Sequence, residues 1–176
     1  PPEGTVPKVQ PGNPFLGDLF NDLFPLYNRG AMDGFLLFMF AVVVRDLKKQ
    51  KGGPLALRLL LSNSNDSDRN KSGMTEEEEG SLPSAMTLLI ESATAYPWNW
   101  SCWMDLAALC QQERVAVPQW SAFCQPEQAE AAVEDLSDRA FATWVMYQHF
   151  MAHSCLSHND GAAASEAISN LASCRV

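Results

Sequence analysis

Pro97 stands between two stretches of apolar residues at helical spacing, and it restricts the fold of this chain more than any other residue does. Before it, Met86, Leu88, Leu89, Ala93 and Tyr96 form one face of a helix starting near residue 84. A proline stops such a helix because it lacks an N–H and its ring clashes with the preceding turn. After it, residues 100–112 restart at once as a second helix carrying Trp103, Leu106, Ala107 and Cys110. Both helices have small residues on the apolar face, Ala85 and Ser92 before the proline and Ala107 after it. Small residues on a core face allow two helices to approach closely, so the pattern predicts antiparallel helices packed side by side.

The spacing fits one repeat register. In a tetratricopeptide unit of about 34 residues, the first helix carries core residues at positions 4, 7, 8 and 11, the second has small, bulky and small residues at 20, 24 and 27, and proline sits at 32. Setting Pro97 at position 32 puts Ala85, Leu89 and Ser92 at 20, 24 and 27. Continued, the register puts Trp103, Leu106, Ala107 and Cys110 at 4, 7, 8 and 11 of the next unit. Upstream, Leu37, Phe40, Ala41 and Val44 suit the same four positions, but Ala41 and Ala85 are about 44 residues apart where an unbroken unit needs about 12. About 32 residues are therefore read as an insertion, whose length adds little loop-closure entropy. Placing Ala56 at position 20, with the second helix split around the polar tract, is the alternative. Downstream, Met151, Ala152 and Cys155, then Ala167, Leu171 and Cys174, suit a third unit in which Gln148 fits position 4 poorly.

Two regions are expected. Residues 1–30 read as a Pro/Gly-rich linker carrying a short docking helix around Phe15, Leu16, Leu19, Phe20, Leu23 and Phe24, with nothing to choose between docking in cis and on a partner. Residues 31–176 read as the repeat-like helical region, interrupted at about 50–82 by a low-complexity insertion that includes the tetrad Glu76 to Glu79. Residues 33–48 should be a buried helix capped by Asp33 and closed by Lys48, Lys49 and Lys51. The Ser, Asn, Asp and Glu of the insertion cannot offset their ordering entropy, so disorder is expected there. A loop with some helix is expected over residues 119–138, a helix capped by Asp138 over 138–156, and a last helix over 162–174. No segment alternates with period two. The fold class is all-α: tetratricopeptide-repeat helical hairpins, an α-solenoid, with a disordered acidic insertion.

Composition narrows the partners. A net charge of -9 with no basic face argues against nucleic acid and anionic membrane. The longest apolar run, residues 35–44, is about half of what spans a bilayer. The chain opens on Pro1-Pro2-Glu3-Gly4, with no Met and no apolar leader, which reads as a processed or partial chain. Five cysteines, Cys102, Cys110, Cys124, Cys155 and Cys174, form an odd set without a CxxC pair, so a reducing home in nucleus and cytoplasm is expected.

Particular residues also resemble a known family. The run Met32-Asp33-Gly34-Phe35-Leu36-Leu37-Phe38-Met39-Phe40-Ala41-Val42-Val43-Val44-Arg45, the run from Ile90-Glu91-Ser92 through Tyr96-Pro97-Trp98-Asn99-Trp100-Ser101-Cys102-Trp103 to Leu106, and Phe150-Met151-Ala152-His153 are similar, in this order, to subunit eight of the anaphase-promoting complex, the Cdc-twenty-three family. The resemblance implies a non-catalytic scaffold of a cell-cycle ubiquitin ligase that acts in mitosis. It also implies other subunits of the complex and coactivator peptides as partners, and a homodimer in the full-length protein. The chain differs from the family in its acidic insertion and in Ala41, where Gly is frequent. A generic adaptor binding a peptide in its concave groove is the other reading.

Sharper chemistry has weaker support. His149 and His153 have the i, i+4 spacing of helical zinc ligands, but no Glu follows His149 and no third ligand is evident. Cys155 near these histidines could be a nucleophile, yet it has no orienting group or oxyanion hole in view. No phosphate-loop, dinucleotide or nucleophile-elbow motif occurs. No catalytic residue, metal or cofactor is expected. Trp98 and Trp100 are the candidates for an interaction surface, against the alternative that Trp103 packs in the core while Trp98 or Trp100 seals the joint between repeats.

Overall fold

Two capping side chains start the central helices. Asp33 accepts a hydrogen bond from the Leu36 N–H at 2.8 Å and Ser84 accepts one from the Thr87 N–H at 3.0 Å, each satisfying an amide that the first turn leaves free. The computed structural model of the chain describes residues 13–50, 83–124, 133, 136–157 and 160–173. Its α-helices are α1 (Leu16–Asn28), α2 (Gly34–Lys49), α3 (Ala85–Ala95), α4 (Trp100–Glu113), α5 (Asp138–Ser157) and α6 (Gly161–Ser173), with one 3-10 turn at Trp120–Ala122. Among the described residues there is no strand, and no helix is long and apolar enough to cross a membrane. The fold is all-α and repeat-like.

The helix expected near Phe15 to Phe24 is α1, and it packs in cis. Leu16, Phe20 and Phe24 share one face, the Phe20 and Phe24 rings stack at 5.3 Å, and both lie against Phe40 of α2. The turn out of α1 needs Gly30, whose φ of +62° lets the Ala31 N–H reach back to the Leu26 carbonyl at 3.0 Å. Asn13, ahead of α1, accepts a bond from Gln50 at the end of α2, so the two helices run antiparallel.

α2 packs most extensively on α3, across the expected insertion. Leu37, Phe40, Ala41, Val43, Val44 and Leu47 are buried, with Lys48 and Lys49 in the last turn. The expectation of a wholly buried helix is corrected: Phe35 is 55% exposed and Met39 39% exposed, because α1 and α3 cover only part of the circumference. The start of α2 meets the end of α3 so closely that a Cβ at Gly34 would stand 2.6 Å from Tyr96 Cβ and 2.9 Å from Tyr96 N. There the buried Ser92 hydroxyl donates to the Gly34 carbonyl at 2.6 Å. The second-helix portion proposed around Ala56 and the acidic tract lie outside the described residues.

The second unit departs from the ideal hairpin. α4 ends at Arg114 in the left-handed region, φ 53°, and residues 115–119 are not helical. The space beside Trp103 is filled instead by Phe123, after the 3-10 turn, and by α5. α5 and α6 form a hairpin. Ser137, not Asp138, caps α5, accepting from the Ala140 N–H at 3.3 Å, while Asp160 caps α6 through the Ala163 N–H.

The contact at Gly34 makes a direct prediction. Gly34→Ala should destabilise the chain by about 1–3 kcal/mol, the usual cost of forcing extra volume into a packed crossing. Gly17→Ala, with nothing within 4 Å of the added carbon, should leave the melting temperature unchanged or slightly raised. Thermal unfolding followed by circular dichroism reads both; equal effects would refute the steric account.

Candidate interaction site

The α3–α4 junction is built around one side chain. Trp103 is fully buried, and its indole N–H donates to the Pro97 carbonyl at 2.8 Å. Proline leaves no N–H of its own, so this bond ties the helix-stopping residue to the next helix through its only backbone polar group. The Trp103 ring lies 5.0 Å from Phe123 and 5.4 Å from Phe150, and Tyr147 joins the cluster at 5.4 Å from Phe123. Offset aromatic contacts of this kind add to the area they bury.

The residues assigned to the repeat register around Pro97 and on α2, namely Leu37, Phe40, Ala41, Val44, Ala85, Leu89, Ser92, Pro97, Trp103, Leu106, Ala107 and Cys110, are buried, and all but Ser92 and Pro97 belong to one hydrophobic core. Cys102 also belongs to the core: its thiol donates to the Leu89 carbonyl at 3.1 Å, and burial pushes its pKa up to about 11. Arg45 of α2 reaches Asp105 of α4 at 2.8 Å and Asp46 at 3.0 Å, joining the first helices of successive units.

Outside this core lies an aromatic rim. Trp98 is 61% exposed and Trp100 39% exposed. Trp100 meets the ring of His153 edge-on at 6.4 Å, and Leu156 is exposed three residues further along α5. The structure thus separates the three tryptophans, one inside and two on the surface. His149 and His153 are both on the exposed side of α5. Cys155 is buried, and burial together with Asp160 raises its thiol pKa, the opposite of an activated nucleophile. Cys102, Cys110, Cys124 and Cys155 are free thiols. Cys174 lies outside the described residues.

Phe123, Ala140, Thr143 and Ser154 escaped the sequence reading, whereas Tyr147 and Phe150 belong to the apolar helix expected there. Phe123, almost fully buried, follows Trp120 in a short polar-flanked stretch with no periodicity to reveal it. Along α5 the buried line is Ala140, Thr143, Tyr147, Phe150 and Ser154, a 3-4-3-4 spacing that was open to reading from sequence. Gln148, the poor match for position 4 of a third unit, is buried because its side chain accepts from Asn170 of α6 at 3.3 Å. A concavity of about 530 Å³ lies between α3 and the start of α5, with Glu91, Thr94, Phe123 and Arg139 among its lining. Burial raises the Glu91 carboxyl pKa, against a weaker lowering contribution from the Tyr27 hydroxyl, which donates to it at 3.5 Å.

The segment that builds this junction is also the one that matches a known family. The family model described as anaphase promoting complex subunit 8 / Cdc23 matches residues 71–157, which include α3, α4 and α5. The anaphase-promoting complex subunit 8 of Arabidopsis thaliana is 30% identical over 108 residues, 61% of this chain and 13% of that protein. That of Dictyostelium discoideum is 30% identical over 108 residues, 58% of this chain and 13% of the relative. Over these residues the chain is similar to the subunit 8/Cdc23 family. It spans 13% of the length of these curated relatives. No solved structure matches it significantly. Within the family match lie Pro97, Trp98, Trp100 and Trp103, so the buried joint and the exposed rim belong to one stretch of the Cdc23-like sequence.

Two outcomes distinguish the core from the rim. Trp103→Phe should cost about 1–3 kcal/mol, because it leaves the buried Pro97 carbonyl without its donor, whereas Trp98→Ala should stay within about 0.5 kcal/mol of the parent. Denaturant titration measures both. Glu91 supplies a pH test. Its native pKa lies above the ordinary 4.5, so the native state holds this proton more tightly than the unfolded chain. Its stabilising share is present at low pH and is lost as pH rises through the folded value. Glu91→Gln should therefore gain stability relative to the parent as pH is raised across that window, and a difference that stays flat with pH would exclude the account.

Proposed function

We propose that the chain is a non-catalytic interaction segment of a subunit of the anaphase-promoting complex, working as a scaffold for other subunits of that ubiquitin ligase in nucleus and cytoplasm. The observation that carries this reading is the division of labour within the Pro97-Trp98-Asn99-Trp100 turn and Trp103. A joint fixed from inside by Trp103 presents Trp98 and Trp100 outward on a rigid support. Exposed tryptophans on rigid backbone lose little entropy on binding and are enriched among residues that dominate interface energies. The buried, pKa-raised thiols favour packing over nucleophilic chemistry.

In this reading the first partners are other subunits of the complex. A coactivator peptide, and a second copy in the full-length protein, are further occupants that the family resemblance implies. The concavity beside Glu91 and Arg139 favours a second reading, a repeat adaptor that holds a peptide without being part of the ligase.

A tagged chain recovered from dividing cells should bring down cullin-like and RING-like subunits. Trp98→Ala with Trp100→Ala should cut that recovery about tenfold, the effect of losing roughly 1.4 kcal/mol, with the helical circular dichroism signal unchanged. A folded chain that captures no ligase subunit would overturn the proposal, and retained capture of a basic or acidic peptide by that same chain would support the adaptor.

A further inference from the structure

We draw no further inference here: the strongest candidate, the cleft of about 530 Å³ between the second half of α3 and the start of α5, carries nothing because nothing in the structure shows what covers it.

Discussion

The hydrogen bond from the Trp103 indole to the Pro97 carbonyl fixes the angle between α3 and α4, and the packing on either side depends on that angle. A proline that ends a helix leaves the chain free to depart in several directions, because nothing in the ring sets the path of the next helix. Here α4 itself supplies the missing constraint. Trp103 sits one turn into α4, reaches back to the carbonyl, and buries its ring against Phe123 and Phe150. One side chain thus joins the turn between α3 and α4 to α5.

On the far side of that joint, close approach replaces side-chain bulk. α2 and α3 cross where Gly34 has no room for a Cβ and Ser92 is small enough to fit the crossing and donate to the Gly34 carbonyl. Ser92→Ala would permit the approach but leave the carbonyl without its hydroxyl donor. Ala41 and Ala85 belong to the same logic of short side chains at a crossing. The Arg45–Asp105 pair then links α2 to α4 beside this packing; being partly exposed, it contributes on the order of 0–1 kcal/mol and matters more for alignment than for stability.

These distinctions explain what could be read from the sequence. The helices around Pro97 were legible because a proline, two size-restricted positions and a helical period constrain the same few residues. The pairing of the helices that carry Ala41 and Ala85 was legible too, since small residues on both apolar faces permit a close approach. Phe123 was not, because a residue that fills a gap from an irregular segment has no period, and its burial is decided by Trp103 and Phe150 from other helices. The exchange of a helical partner for the Trp120–Ala122 turn beside α4 was illegible for the same reason. Ser137 displaced Asp138 as the cap of α5 because adjacent Ser and Asp are equally suited by chemistry, and only the backbone path selects one. Exposure at Trp98 and Trp100 could be posed from sequence as a question but not answered, since tryptophan serves cores and interfaces alike.

The same joint explains why the outward tryptophans are better suited to recognition than to reaction. A surface that binds by aromatic contact needs side chains whose positions do not shift when the partner arrives. Trp98 lies one residue from the carbonyl held by Trp103, and Trp100 is the first residue of α4, with its ring edge against His153. Both therefore take their placement from a backbone that a buried hydrogen bond holds in position. Catalysis would demand instead a polar group poised to change its charge, whereas the thiols nearest this region are held in the protonated form by burial. The junction commits the buried Trp103–Pro97 hydrogen bond to geometry, which is what the proposed interaction role requires.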